Sequence, residues 1–506
     1  MNRTEALARI REREKFWDFI VIGGGATGVG CCLDAASRGF DVLLLEQNDF
    51  GKGTSSRSTK LVHGGVRYLA QGDISLVREA LKERGILLEN APHIVRKMAF
   101  VVPCYSLWDK FFYGAGLKMY DFLSGKHSFG KSRILSKKET IERLSNVKTE
   151  SLRGGVVYFD GQFDDTRLLI NLAQTASESG AALLNYARVS EITKGENGKI
   201  EGVKFQDAET GEFIEAKAKV VINATGAFSD FIRKLSDENS KNIIAPSQGI
   251  HLVFSKEFLP VETALMIPKT SDGRVLFAIP WHNQTLIGTT DTPIKKAELE
   301  PKALEKEIEF ILKTAGNYLA KSPEREDILS VFVGIRPLVK NENTKNTASL
   351  SRDHTIEIDN ANLLTITGGK WTTYRRMAED VVNQAIKIAG LTEKSCVTEN
   401  LKIHGADTTN IQKLIKENPV LAEKIHAGLS YQKAEIVRAI REEMAQTVED
   451  ILARRTRALF LNARAAIEIA PEIARIMADE LGKDENWINR QIDEFNETAR
   501  NYFIEE

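Results

Sequence analysis

Several features that would assign this chain to a class at once are missing from its sequence. No apolar run reaches the roughly 18 residues that a membrane-spanning helix needs. The 69 lysines and arginines nearly balance the 70 aspartates and glutamates, so we expect no nucleic-acid partner. Residues 1–18 are charged and have no apolar core, so we also expect no secretory signal. At 506 residues, the chain has room for two or three domains.

Cysteine is scarce and has no spacing typical of a metal site. The four cysteines are Cys31, Cys32, Cys104 and Cys396, with no C-x-x-C pair among them, and we predict no bound metal. Cys31 and Cys32 fall in a predicted helix, where we expect them to pack as small apolar residues. This usage is typical of a reducing compartment.

What is present is a glycine-rich turn between two short apolar strands, in residues 18–46. Gly23, Gly25 and Gly28 have G-x-G-x-x-G spacing, a helix follows them, and the second strand ends on Glu46. The first glycine permits a tight turn, the second a close approach of a pyrophosphate, and the third close helix packing. The helix N-terminus then faces the phosphates.

Glu46 completes the pattern that is typical of dinucleotide binding. Its carboxylate can accept hydrogen bonds from a ribose hydroxyl pair, and an acid there disfavours the 2′-phosphate of NADP. The pattern does not separate NAD from FAD. A βαβ turn with a structural role only is the alternative.

Residues 51–73 are rich in glycine, serine and threonine and predict a loop against the pyrophosphate and the ring system of a cofactor. An ordinary polar surface loop is the alternative. The cofactor contacts predicted in this loop are Thr54, Ser55, Ser58, Lys60, Leu61, His63, Gly64 and Gly65.

The later pattern predicts an α/β chain with a second layer. Residues 151–230 return to the nucleotide-binding fold, and 245–295 alternate as in an antiparallel sheet. From about Thr398 the pattern is helical throughout. Residues 105–133 interleave aromatic side chains with lysines and predict either contact with a membrane surface or a domain core. The helix that begins near Thr373 is the second candidate for membrane contact, through Arg375, Arg376 and Lys387.

Three motifs closely resemble the FAD-dependent sn-glycerol-3-phosphate dehydrogenases: IGGGATGVGCCLDAASRG (22–39), SSRSTKLVHGGVRYL (55–69) and GGKWTTYRRMA (368–378). NATGAFSD (223–230), GIRPL (334–338) and the helical tail agree, so the resemblance covers nearly the whole chain. One departure is a cysteine in the first helix, Cys32, where the family usually has alanine. We expect a packing adjustment there and no change of chemistry.

The resemblance implies a fold like that of glutathione reductase and D-amino-acid oxidase. A Rossmann-type FAD domain would be assembled from separated segments, with an inserted substrate domain built on an antiparallel sheet and an all-helical C-terminal domain. The predicted boundaries are 1–91, 150–243 and 330–396 for the FAD domain, 92–149 and 244–329 for the substrate domain, and 397–506 for the helical domain.

The resemblance also implies oxidation of glycerol 3-phosphate to dihydroxyacetone phosphate, with electrons passed to a membrane quinone. Such proteins lie peripherally on the cytoplasmic face of the bacterial inner membrane. A homodimer is a further candidate partner state. Three alternatives stay open: a glycerophosphate oxidase, an amine or amino-acid oxidase, and a flavoprotein without turnover. We expect this 506-residue chain to be too short for the insertion that glycerophosphate oxidases usually carry.

Independently of the family, cations fall at predicted strand ends and glycine turns, where they suit a phosphate with nearly two negative charges. For each one, a solvated surface charge is the alternative. The predicted phosphate ligands are Arg274, Arg336, Arg352, Lys370 and Tyr68. The remaining predicted cofactor contacts are Val189, Thr225, Gly226, Gly368, Gly369, Lys370 and Thr372.

Oxidation of a secondary alcohol needs a base for the hydroxyl proton while hydride leaves carbon. Our candidate base is His251, with His63 as the alternative, and an arginine nearby would stabilise the developing alkoxide. The predicted catalytic set is therefore His251, Arg336, Lys370 and Arg67.

Overall fold

The computed structural model describes residues 1–70, 72–270, 273–340, 354–405 and 411–504. Its strands are β1 (Trp17–Ile22), β2 (Val42–Leu45), β3 (Leu61–Val62), β4 (Val95–Cys104), β5 (Arg133–Leu135), β6 (Gly154–Phe163), β7 (Ala182–Leu184), β8 (Ala187–Lys194), β9 (Ile200–Asp207), β10 (Phe213–Asn223), β11 (Ile244–Ser255), β12 (Ala264–Ile267), β13 (Leu276–Trp281), β14 (Gln284–Gly288), β15 (Thr292–Pro293), β16 (Ser330–Val339), β17 (His354–Ile358) and β18 (Leu364–Gly368).

The helices are α1 (Arg3–Arg11), α2 (Ala26–Ser37), α3 (Val66–Ala70), α4 (Ile74–Asn90), α5 (Leu107–Ser124), α6 (Lys137–Arg143), α7 (Asp165–Glu178), α8 (Ser229–Ser236), α9 (Glu305–Tyr318), α10 (Tyr374–Ile388), α11 (Ile411–Glu417), α12 (Lys433–Glu442), α13 (Ala458–Leu461), α14 (Ala463–Leu481) and α15 (Glu485–Ala499). None of the described helices is long and apolar enough to cross a membrane.

The first sheet has eight strands and carries the glycine-rich turn. Its main order is β17-β18-β10-β1-β2-β7, and β1 pairs in parallel with both β2 and β10. The apolar runs that precede and follow the turn are buried throughout, as parallel strands covered on both faces must be. Helices α2, α7 and α10 pack together over one face, and the antiparallel strands β8 and β9 extend the sheet from β10.

The second sheet has ten strands in the main order β15-β11-β14-β13-β12-β4-β6-β3, and its pairs are antiparallel except for β4 with β12. This confirms the predicted α/β fold with an antiparallel layer. Three strands from segments predicted for the FAD domain lie in this sheet, because β3 pairs with β6, β6 with β4 and β16 with β11. Apolar alternation identifies a strand but not its partner. The domain boundaries themselves stay a prediction.

The C-terminal region is helical and shares a core with the second sheet. Leu459 and Phe460 on α13, and Ile473 on α14, belong to the same buried cluster as Phe332 of β16. Between α12 and α13 the backbone forms a π-helical turn, Asp450–Arg455. The helical tail is therefore packed directly behind the strands that carry the predicted substrate residues.

The aromatic stretch forms α5, and most of its large side chains point outward. Leu107, Trp108, Phe111, Phe112 and Phe122 are between 52% and 83% exposed. Its buried face is made of small or mixed residues, with Leu117 and Tyr120 as the large ones. The domain-core interpretation of this stretch is therefore wrong for these five side chains.

Candidate active site

The glycine-rich turn is as tight as its spacing predicts. Gly23 has a φ of +112°, and a Cβ there would lie 2.7 Å from the carbonyl oxygen of Ala224 on the neighbouring strand. A Cβ on Gly28 would lie 1.9 Å from the carbonyl oxygen of Gly23, so α2 packs directly on the turn. Both distances exclude any side chain. Gly25, the N-cap of α2, lines a cavity at this point.

Glu46 lies at the end of β2, beside the turn. Its carboxylate accepts hydrogen bonds from the backbone N–H of Gly24 at 2.6 Å and of Asn48 at 2.9 Å. Burial raises the pKa of Glu46 above its usual value, and the two amide bonds oppose that rise. The acid is therefore held at the rim of the cavity, where a ribose would meet it.

The first cavity encloses about 1270 Å³, including its open mouth, and is bounded by three glycine-containing turns of the first sheet. The turns follow β1, β10 and β18, so the cavity lies at the carboxyl ends of parallel strands, where open α/β sheets bind ligands. The predicted cofactor residues that line it are Gly23, Gly25, Glu46, Thr54, Ser55, Val189, Thr225, Gly226, Gly368, Gly369 and Lys370. A long dinucleotide fits this shape and these small residues.

The serine- and threonine-rich loop passes from this cavity to a second one. Ser55 accepts a hydrogen bond from the N–H of Ala26 at 2.9 Å, which fixes the loop on the first turn of α2. Thr54 donates to the carbonyl oxygen of Ile335 at 2.5 Å and thereby reaches the second sheet. Trp371 donates its indole N–H to the carbonyl oxygen of Ser55 at 2.9 Å.

Five of the predicted cofactor residues line neither cavity. A Cβ on Gly28 has no space, Gly64 donates its N–H to the hydroxyl of Tyr120 at 2.7 Å, and the hydroxyl of Thr372 accepts from the N–H of His63 at 3.3 Å. The side chains of the other two donate to Asp165, each at 2.7 Å: Ser58 and Lys60. These residues support the loop from behind.

The second cavity encloses about 980 Å³ with its mouth and lies between the loop and the second sheet. The predicted residues that line it are Leu61, His63, Gly65, Tyr68, Arg274 and Arg336. Lys370 lines the first cavity, and its Nζ lies 3.9 Å from the ring centroid of Tyr68, which lines the second. The two cavities are therefore neighbours, separated by the contact of Lys370 with Tyr68.

Arg336 is oriented by fixed acceptors at the edge of the second cavity. Its Nη2 donates to the carbonyl oxygen of Thr290 at 2.9 Å, and its Nη1 lies 3.3 Å from the carboxylate of Asp291. The hydroxyl of Ser247 donates to the same carboxylate. A guanidinium held in this way keeps one orientation toward an anionic ligand.

His251 lies on β11, and only 3% of its surface is exposed. Its Nε2 is 2.9 Å from the hydroxyl of Thr59, which lines the second cavity, and its ring stacks on Phe332 with centroids 4.9 Å apart. Nδ1 has no hydrogen-bond partner among the described residues. Burial holds the pKa of His251 well below its usual value, and the charges of Lys60 and Arg336 lower it further. The imidazole is therefore neutral, and its Nε2 faces the hydroxyl of Thr59.

Because burial disfavours the protonated form of His251 in the folded protein, its stability should fall in acid. Below the usual pKa near 6.5 the unfolded chain takes up a proton that the folded chain binds less readily. Between about pH 7 and about pH 5 we expect this group to lower the free energy of unfolding progressively as the pH falls. Thermal unfolding of wild type and His251→Gln across that range measures the effect. An equal loss in both proteins would contradict the assignment.

Sequence reasoning missed several residues that line the second cavity. Thr59 lies in the motif of residues 55–69, between the predicted cofactor residues Ser58 and Lys60. The motif therefore indicated this part of the chain, but it did not indicate which side chains face the cavity. The others are Val66, Phe100, Tyr158, Asp160, Met266, Val275, Phe277, Thr289, Thr290 and Asp291. Arg67 lies in α3, but its side chain is outside the described part of the chain, and Arg352 lies outside the described residues altogether.

The chain matches two protein families along its length. Residues 18–374 match the family described as FAD dependent oxidoreductase, and residues 360–487 match the C-terminal domain of alpha-glycerophosphate oxidase. The first match covers more than half of the chain and nearly all of the residues that line the two cavities. FAD is therefore the cofactor, and the glycine turns and Glu46 of the first cavity fit it.

Curated relatives agree over nearly all of the chain. It is 41% identical over 527 residues to a probable mitochondrial glycerol-3-phosphate dehydrogenase of Caenorhabditis elegans, covering 95% of this chain and 73% of that one. It is 39% identical over 554 residues to the mitochondrial glycerol-3-phosphate dehydrogenase of Rattus norvegicus, covering 100% of this chain and 75% of that one.

Solved structures support the same assignment. The glycerol-3-phosphate dehydrogenase of Bacillus halodurans, complexed with FAD, matches with a TM-score of 0.78 and 29% identity, covering 100% of this chain and 99% of that one. The L-alpha-glycerophosphate oxidase of Mycoplasma pneumoniae shares the fold over 76% of this chain and 98% of that one, with a TM-score of 0.59 and 16% identity. The chain belongs to the FAD-dependent glycerol-3-phosphate dehydrogenase family.

Proposed function

We propose that this protein oxidises sn-glycerol 3-phosphate to dihydroxyacetone phosphate and passes the electrons to a membrane quinone. The observation that carries the proposal is the pair of neighbouring cavities. One suits a dinucleotide and is lined by Lys370, and the other is lined by Arg274 and Arg336. Bound FAD would supply the acceptor for the hydride that leaves the substrate carbon.

The chain's own residues account for the binding of a small phosphate ester. Arg274, Arg336, Lys370 and Tyr68 form a cationic and aromatic wall suited to a phosphate or a developing alkoxide. Binding energy from the phosphate, remote from the reacting carbon, would orient the hydroxyl group. Arg352 stays a predicted phosphate ligand, and Arg67 stays a predicted catalytic residue.

For the proton, we assign His251 acting through Thr59. The neutral imidazole is an acceptor, and the hydroxyl of Thr59 can pass a proton from the cavity to Nε2 at 2.9 Å. His63 lines the same cavity directly and is the second candidate for the base. The variants His63→Gln and His251→Gln separate the two candidates. Loss of turnover in His251→Gln alone would support His251 as the base, whereas loss in His63→Gln alone would assign that role to His63.

Steady-state turnover with two acceptors tests the function and separates the alternatives. We expect glycerol 3-phosphate to drive reduction of a soluble quinone much faster than formation of hydrogen peroxide from oxygen. Rapid peroxide formation with the same substrate would instead support a glycerophosphate oxidase. Turnover with glycine or D-alanine and not with glycerol 3-phosphate would support an amino-acid oxidase, and absence of any turnover a non-catalytic flavoprotein.

We further propose that α5 rests on the membrane that holds the quinone. Trp108, Phe111 and Phe122 are exposed on this helix, and Lys118 and Lys126 lie beside them at the surface. Exposed apolar side chains flanked by lysines suit the interface of an anionic bilayer. The competing helix, α10, is a poor candidate because its Arg375 is only 5% exposed and pairs with Glu83 at 2.6 Å.

A double substitution on α5 should therefore weaken membrane binding. We expect Trp108→Ser with Phe111→Ser to lower co-sedimentation with anionic vesicles at least about tenfold, since each large apolar side chain contributes roughly 1.5–3 kcal/mol when buried. Turnover with a soluble acceptor should not change. The control is Phe213→Ser, another exposed aromatic residue, on β10. Equal loss in the control would contradict the assignment of α5.

The resemblance to bacterial enzymes supports the inner face of a bacterial cell membrane as the location, and fractionation of the source cells tests it. The mitochondrial names of the relatives make a mitochondrial location the competing outcome. A homodimer stays a prediction, which light scattering of the purified protein measures.

A further inference from the structure

Lys60 is a fully buried lysine that lies behind the active site and not in it. Its Nζ donates to the carboxylate of Asp165 at 2.7 Å and to the carbonyl oxygen of Ser56 at 2.7 Å. Three ring centroids lie 4.9–5.6 Å from Nζ: Trp281, Phe332 and Phe460. Burial lowers the pKa of Lys60 to about 7, against the attraction of Asp165. Removing a cation from water into such a site costs free energy, which only a close ion pair and further hydrogen bonds offset.

Asp165, the first residue of α7, joins three parts of the chain. Its carboxylate accepts from the N–H of Ser58 at 3.1 Å and from the hydroxyl of Ser58 at 2.7 Å, in addition to Lys60. Arg457, from the helical C-terminal region, approaches the same carboxylate at 3.4 Å. Arg457 is 1% exposed and also donates to the carbonyl oxygen of Ser56 at 2.6 Å.

The residue between the two anchored positions is Thr59. Ser58 and Lys60 both point to Asp165, so Thr59 points the opposite way, into the second cavity and toward His251. The backbone of Lys60 has a φ of 63°, a left-handed conformation that a lysine seldom adopts without external support. The direction of Thr59 therefore depends on the buried charges behind it.

The same cluster also contacts the ring that packs on the histidine. Phe332 lies under the Lys60 ammonium and stacks on His251 with centroids 4.9 Å apart. Phe460, three residues after Arg457 in the C-terminal region, packs against Phe332 with ring centroids 4.9 Å apart. Hydrogen bonds and ring stacking thus lead from the cluster to the pair His251–Thr59.

We propose that Lys60, Asp165 and Arg457 are positioning residues for the oxidation, which hold Thr59 and through it His251 at the substrate cavity. This inference rests on the proposed function. It gives the helical C-terminal region a part in catalysis, because that region supplies Arg457. None of the three side chains lines either cavity, so each acts through another residue.

The test uses the holoenzyme and compares chemistry with cofactor content. The double variant Lys60→Met/Asp165→Asn removes both charges with little change in volume, so we expect it to fold and to retain FAD. The rate of flavin reduction at saturating glycerol 3-phosphate should fall at least about tenfold, since small displacements of reacting groups have effects of this size. The KM for glycerol 3-phosphate should stay within about threefold, because the cationic wall is untouched.

A second pair of variants gives a conservative rescue. Arg457→Lys should retain most of the reduction rate and Arg457→Met should lose at least about tenfold, because a lysine can still reach an acceptor in the cluster. Arg464→Met, at an exposed position on α14, is the matched control and should match wild type.

The outcomes separate this inference from the function on which it rests. If glycerol 3-phosphate did not reduce the flavin of the wild-type protein, that result would contradict the proposed function. A double variant with full FAD content and a wild-type reduction rate would overturn the positioning role alone. Loss of rate only in proportion to loss of FAD, in every variant, would also overturn it, because the cluster would then serve stability only.

Discussion

Replacement of Arg336 by alanine should lower kcat/KM for glycerol 3-phosphate by at least about a hundredfold, comparable to removal of one oxyanion-hole donor. The guanidinium is held by Thr290 and Asp291 at the edge of the second cavity, so its loss removes a fixed charge from the site of the phosphate or the alkoxide. Steady-state kinetics measures the loss, and the ratio of flavin to protein absorbance measures FAD content. FAD content should stay at the wild-type level, because Arg336 does not line the first cavity.

Two further variants make the result specific. Arg336→Lys keeps the positive charge but loses the planar pair of N–H donors of the guanidinium. It should therefore be more active than Arg336→Ala and less active than wild type. Arg325→Ala removes a paired arginine at the surface, where it contacts Glu305, and should behave as wild type. Parallel loss of activity and FAD in Arg336→Ala would show that this residue supports the fold and not the substrate.

The second large effect is expected at the glycine turn. In Gly28→Ala the new Cβ would lie 1.9 Å from the carbonyl oxygen of Gly23, which no rotamer can relieve because both atoms belong to the backbone frame. Either α2 must move away from β1 or the turn must open. We expect the purified variant to lose most of its FAD and to unfold at a lower temperature than wild type. Absorbance spectra and thermal unfolding measure both.

The matched control is another helical glycine. Gly116 lies on α5, and a Cβ there would have nothing within 4 Å, so Gly116→Ala should bind FAD fully and keep or raise its unfolding temperature. A Gly28→Ala protein with wild-type FAD content would contradict the role that the packing assigns to the turn.

The sequence allowed most of the fold to be predicted because its strongest signals are local. The glycine turn, the buried strands beside it and the helix after it need only neighbouring residues, and β1, α2 and β2 lie where the pattern places them. The partners of β6 and β16 could not be predicted, because pairing depends on residues far away in the chain. The same limit applies to α5, whose aromatic residues fit a core or a membrane surface equally well by composition.

For the site, the sequence predicted which residues take part better than it predicted where their side chains point. Arg274, Arg336 and Tyr68 come together around one cavity, as their chemistry suggested. Lys60 and Thr59 are adjacent in a motif, yet one side chain is buried against Asp165 and the other lines the cavity. Spacing along a loop does not specify these directions, because they depend on an aspartate from α7 and an arginine from the C-terminal region.

The central claim is that a bound flavin faces a cationic pocket for a three-carbon phosphate ester. Anaerobic titration of the purified holoenzyme with sn-glycerol 3-phosphate tests it most directly. We predict complete loss of the visible absorbance of oxidised flavin, with one dihydroxyacetone phosphate formed per FAD, and no change with equal concentrations of glycerol. Persistent colour after excess substrate, or equal bleaching by glycerol, would contradict the account.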